Sequence, residues 1–266
     1  MKYYLDTEFH EFKKKPLFGK AIDTIELISI GIVQEDRNVV VKFPEGGGVA
    51  DFGGREYYAI CNEFDFKAAW NNEWLRDNVI LPISYDLAHQ DYSEKGHYMA
   101  KFNQVSTWVD FIKKGRNWEK TWVKRSKELF NKYGKSKSEI QDEILSFTGT
   151  CQDSGGLTDR NPEFYAYYAD YDWVVFCWIF GRMIDLPNGF PKYCRDLKQI
   201  MDEKVSFLMD KQNRRLPRGT VYRTLNEAIY AFKGRKDYPA QVNEHNALDD
   251  AKWNRDLHKF LEAITD

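Results

Sequence analysis

Four cysteines, Cys61, Cys151, Cys177 and Cys194, are scattered through 266 residues. None belongs to a CxxC pair or has a histidine at zinc-finger spacing, which excludes that kind of structural zinc site and makes reduced cytoplasmic thiols the expectation. No uninterrupted apolar run approaches the roughly 18 residues of a membrane span. The N-terminal stretch Met1-Lys2-Tyr3-Tyr4-Leu5-Asp6 meets an acid before a signal-peptide core can form, so neither a membrane span nor secretion is expected. An excess of one charge is also missing. With 39 Lys and Arg against 41 Asp and Glu, there is no global positive field, and any contact with a polyanion must be local. The stretch holding Gly46-Gly47-Gly48 and Gly53-Gly54 lacks both GxGxxG and GxxxxGK[ST] spacing, and no helical pattern follows it. It reads as a hairpin tip and not as a phosphate cradle.

What is present describes a globular protein: 42% of residues are hydrophobic and 30% charged. The length suits one elaborated α/β domain or two small ones, since a domain takes roughly 100 to 200 residues, and the mixed order of strands and helices suggests one. Aromatic residues reach 16%, enough for a ring-rich core or for surfaces on which nucleobases stack.

Tyr3 to Leu5 and the β-branched run Ile25 to Val33 predict two strands able to pair as a hairpin, with Lys13-Lys14-Lys15-Pro16 as a solvated connection. Val39 to Phe43 and Glu56 to Ile60 predict further strands. From Tyr85 to Tyr133 the pattern turns helical, with Trp108, Trp118 and Trp122 among Lys113, Lys114, Arg116, Lys120, Lys124 and Arg125. Basic residues interleaved with rings can grip a single strand, but a charged face over a Trp-stapled core is the commoner explanation. Ser138 to Phe147 predicts a helix with Glu139 and Asp142 near its start. Phe164 to Ala169 predicts a strand, Asp172 to Phe180 an apolar helix, Tyr193 to Met201 a strand and a turn of helix, and about Ala247 to Ala263 the final helix. Arg214, Arg215 and Arg218 form a basic cluster on a loop that reads as solvated.

Three groups of residues carry chemistry. In Leu5-Asp6-Thr7-Glu8, strand alternation puts Asp6 and Glu8 on one face and Thr7 on the other. Two carboxylates that close raise each other's pKa unless a cation sits between them, and hard divalent ions are suited to all-oxygen ligands. The second group is Asp170 and Asp172, where an apolar strand feeds an apolar helix, the junction at which α/β sheets build sites. Asp172, immediately before the apolar face, is the preferred candidate. The third is His245-Asn246-Ala247-Leu248-Asp249-Asp250. Asn246 is a good N-cap, and Asp249 then falls at N3, where its carboxylate can satisfy a free backbone amide. In a continuous helix Asp250 would lie roughly 140° from His245, so His245 must sit in the loop before the helix.

Together, an acid pair on the first strand, an acid at a strand-to-helix junction and His-x4-Asp opening the last helix resemble the DEDDh exonucleases. The chain looks most similar to a small bacterial and phage 3′ to 5′ exoribonuclease family, through Tyr4-Leu5-Asp6-Thr7-Glu8-Phe9, Asp23 to Gly31, Arg55 to Ile60, Tyr171-Asp172 and His245 to Ala251. The resemblance covers roughly residues 1 to 66 and 139 to 260. It departs from the family pattern at the Gly-rich hairpin, residues 36 to 54, and at a helical insertion, about residues 85 to 135.

The resemblance implies an RNase H-like fold, a mixed central sheet flanked by helices, in a single domain over 1 to 266. It implies two Mg2+ or Mn2+ ions held by Asp6, Glu8, Asp172 and Asp250, with His245 as the general base that takes a proton from the attacking water. Nucleoside 5′-monophosphates would leave an RNA 3′ end. Phe9 would stack on the terminal base, with core packing as the rival role, and the backbone at Thr7 would meet the terminal sugar. A homodimer fits the resemblance. A 3′ to 5′ DNA exonuclease uses the same five residues, and a catalytically inactive nucleic-acid-binding module is the alternative from a different class.

Overall fold

The first apolar segment extends into a strand far longer than its apolar core. In the computed structural model, which describes residues 1–16, 18–35, 55–96, 105–149, 161–213 and 224–264, strand β1 runs Lys2–Lys14. Its partner β2 runs Ile22–Gln34 and pairs antiparallel along the whole length. Lys13 and Lys14, expected in the loop, belong to the strand because each finds an acid across the hairpin, Asp23 at 2.7 Å and Glu26 at 2.8 Å. The register shifts between Glu8 and Phe9, so the ladder is irregular directly after the acid pair.

Strand β3 (Glu56–Ile60) adds antiparallel to the other edge of β2. The expected strand Val39 to Phe43, the Gly-rich stretch, Cys151, and Arg214, Arg215 and Arg218 lie outside the described residues. Helical structure begins well before Tyr85. Short helices α1 (Phe66–Asn71) and α2 (Glu73–Leu75), each capped by an Asp or Asn side chain, lead through a π-helical stretch Arg76–Ile80 into α3 (Leu81–Glu94). Pro82 explains the π-helical stretch, since it has no N–H to close the preceding turn. Helices α4 (Val105–Lys113) and α5 (Trp118–Tyr133) complete this lobe.

Trp108 is buried, and Trp118 and Trp122 pack against the same core as Phe66, Trp70 and Phe130, so these rings do staple a core. Buried Asp91 of α3 fastens α5: it accepts from Lys132 at 2.8 Å, from Lys95 at 2.8 Å and from Arg125, and these cations hold its carboxyl far below the usual range.

Helix α6 (Lys137–Thr148) starts with a capping box, Ser136 and Glu139. Strand β4 (Glu163–Ala166), helix α7 (Ala169–Ile179), a 3-10 turn at Met183–Asp185, strand β5 (Arg195–Asp196) and helices α8 (Leu197–Asn213), α9 (Leu225–Lys233) and α10 (Ala247–Ala263) follow. Among the described residues the sheet has the order β3-β2-β1-β4-β5, with β1, β4 and β5 parallel. This mixed five-stranded sheet flanked by helices is the α/β architecture expected, and it is compatible with an RNase H-like arrangement. No described helix is long and apolar enough to cross a membrane.

The two faces of β1 feed different cores. Tyr3 and Leu5 pack with α6 and α7, whereas Tyr4 packs with α8, α9 and α10. Full burial of each such side chain contributes about 1.5–3 kcal/mol. By the same alternation Asp6 and Glu8 are turned toward α10, and Thr7 toward α7.

Candidate active site

Strand β1 pairs with β4 only from Lys2 to Tyr4. Beyond that point β4 has ended, and the start of α7 occupies the place a strand partner would take. Asp172, in the first turn of α7, accepts the Thr7 N–H at 2.9 Å and the Thr7 hydroxyl at 2.6 Å on one oxygen. Both donors of Thr7 are therefore committed to Asp172. Asp170, the rival acid, is exposed.

Helix α10 brings the fourth acid. It lies directly on β2 at Gly31, and buried Asn254 donates to the Leu5 carbonyl at 3.0 Å, locking the helix over β1. Asn246 caps the helix as expected, accepting from the Leu248 and Asp249 amides. The Asn246 N–H, which an N3 carboxylate would cap, donates to the Asn243 carbonyl at 3.1 Å, so Asp249 instead accepts from Asn243 Nδ2 at 3.0 Å. His245 sits in the preceding loop at φ 69°, and its backbone N–H donates to Asp250 Oδ2 at 2.9 Å. Gln241 Nε2 donates to Asp250 Oδ1 at 2.6 Å. Both oxygens of Asp250 are thus aimed by the loop before the helix.

These placements close a cluster. Asp6, Glu8 and Asp250 offer carboxylate oxygens that all lie within 4.8 Å of one another. Asp172 stands outside this triplet but close enough for its charge to raise both Asp6 and Glu8. Burial is the main cause of the shifts at all four acids. Glu8 is pushed up to about 8 by burial, then by Asp250 and Asp172. Asp6 is raised by burial, then by Asp172, Glu8 and Asp250. Asp172 is raised by burial against the lowering effect of its Thr7 hydrogen bonds, and Asp250 by burial against its bonds from Gln241 and the His245 amide. Among the described residues, the charges that raise these acids are other carboxylates. An all-oxygen donor set whose negative charge is mutually costly fits a hard divalent cation.

Two ring pairs involve neighbours of the acids in the chain or in space. Phe9 is half-buried against the core beside α7 and stacks on exposed Tyr171, centroids 5.6 Å apart at 11°. Trp74, on α2, meets the His245 ring edge to face at 4.7 Å. Sequence reasoning singled out neither Trp74 nor Gln241. Trp74 lies on a three-residue helix with no periodicity, and Gln241 reaches Asp250 only through the path of its loop.

Fold and site together define an α/β protein with a buried carboxylate cluster at the end of its first strand. No family model matches the chain. It is similar to two proteins named 3′-5′ exoribonuclease, from two strains of Mycobacterium tuberculosis, each 28% identical over 204 residues, which is 77% of this chain and 76% of the relative.

Proposed function

We propose that the protein is a divalent-metal-dependent 3′ to 5′ exoribonuclease of the DEDDh type, releasing nucleoside 5′-monophosphates from RNA 3′ ends. The observation that carries this reading is the convergence of Asp6, Glu8 and Asp250 oxygens within 4.8 Å, with Asp172 beside them. The name carried by both relatives supports RNA as the substrate.

Asp6, Glu8 and Asp250 would hold Mg2+ or Mn2+, and Asp172, fixed by Thr7, adds negative charge to the same pocket. Two such ions, when bound, stabilise the entering and departing oxygens of a phosphodiester displacement. The His245 imidazole accepts a proton from the attacking water at a ring nitrogen. The stacked pair Phe9 and Tyr171 borders the acids with an aromatic surface for the terminal base.

The test is product analysis with 5′-labelled RNA and DNA of one sequence, with and without Mn2+. Stepwise shortening of RNA from its 3′ end, dependent on the metal, is the expected result. Faster attack on DNA would favour the deoxyribonuclease alternative. Oligonucleotide binding without nucleotide release in Mg2+ or Mn2+ would leave only a binding module.

A further inference from the structure

We infer that Trp74, a residue of the helical lobe, is the positioning residue for the His245 imidazole; this rests on the reading of His245 as general base. The backbone of His245 is fixed by its bond to Asp250, but among the described residues no hydrogen bond holds the ring nitrogens. A base usually has its ring oriented by a second group. Here the ring contact is Trp74, edge to face, with centroids 4.7 Å apart and planes at 76°. That is a favoured aromatic geometry.

The local backbone is built to present this side chain. In an uninterrupted α-helix Trp74 would share the face of Leu81, two turns on, and be buried with it. Leu81 is fully buried, yet Trp74 is 51% exposed. The π-helical stretch Arg76–Ile80 between them shifts the phase and leaves Trp74 off the lobe's core, beside the site. Its carrier is fastened at several points: Asn72 caps the Leu75 amide at 3.2 Å, and Asn78 Nδ2 donates to the Trp74 carbonyl at 2.9 Å. The Arg76 guanidinium lies over the Trp118 ring at 5.5 Å, tying the turn to α5. The lobe thus reaches the proposed base through the Trp74 ring.

The experiment compares Trp74→Ala, Trp74→Phe and Trp74→Leu in the full chain. RNA 3′ trimming with Mn2+ is measured alongside the ring-proton resonances of His245 in histidine-labelled, metal-free protein. Trp74→Ala should lower kcat about 10- to 100-fold with KM nearly unchanged, the scale of a misplaced catalytic group. Trp74→Phe should recover most of the loss and Trp74→Leu should not. In a His245→Ala background, Trp74→Ala should add no further loss. The His245 resonances should move toward those of free histidine in Trp74→Ala and hold near wild type in Trp74→Phe.

A rise in KM at constant kcat, or a loss that persists in His245→Ala, would show Trp74 touching substrate directly and would overturn the positioning role. Unmoved His245 resonances would overturn it as well. If the wild type released no nucleotide, the nuclease reading would fall, while the resonances would still decide the contact.

Discussion

Gly31 stands opposite Asp6 in the β1–β2 register, and a methyl group at Gly31 would meet the Ala247 carbonyl oxygen at 2.2 Å. The hydrogen side chain therefore sets how closely the last helix approaches the strand that carries the first acid. Backbone to backbone, neither partner can yield by rotating a side chain.

Gly31→Ala should cost about 1–3 kcal/mol of stability, the usual range for overpacking. It should also weaken Mn2+ binding by displacing Asp250. Urea unfolding and metal titration of the same variant check both; wild-type values in each would mean the contact relaxes freely.

Asp6→Asn should remove metal-dependent hydrolysis, by on the order of 1000-fold or more, because stabilisation by bound ions is worth several kcal/mol. Without metal, the variant should melt at a higher temperature than wild type near pH 8, since one of the mutually repelling charges is gone. Single-turnover trimming and thermal melts measure these; full activity would take Asp6 out of the mechanism.

The metal-free protein should lose stability as pH rises from about 4.5 to about 8. Glu8 keeps its proton in the folded state over that window, while in the unfolded chain it has already lost it. The folded state binds more protons, so the slope of unfolding free energy with pH is negative. Asp6, Asp172 and Asp250 are raised in the same direction. Mg2+ or Mn2+ should restore several degrees of melting temperature at pH 8 and much less at pH 5. A flat profile without metal would contradict the burial of these acids.

Asp172→Asn should lower turnover strongly, and Asp170→Asn should stay near wild type, because Asp172 is buried on Thr7 whereas Asp170 is exposed. Thr7→Val, which keeps the amide bond and loses the hydroxyl, should fall between them. Trimming rates for the three variants decide the order, and a greater loss at Asp170 would reverse the assignment.

The parts of this arrangement legible in the sequence are those fixed by local rules. Period-two alternation placed Asp6 and Glu8 together, and Asn246 as N-cap marked the start of α10 where it begins. The length of β1 was not legible, because Glu11, Lys13 and Lys14 are poor strand formers held in place by partners on β2. Helices α1 and α2 are too short to show a period. Pro82 disguised the continuous run into α3. Asp249 had a sound local role as a cap, but Asn243 competes for it from a loop whose path no local rule specifies. Trp74 and Gln241 reach the site through tertiary contacts alone.

The lock between the Leu5 carbonyl and Asn254 joins residues 249 positions apart. Closing so long a loop is slow relative to local structure formation, and the histidine and last carboxylate arrive with it. The opening strand is thus synthesised long before His245 and Asp250, and the pocket it helps line closes only when sequence-distant segments meet.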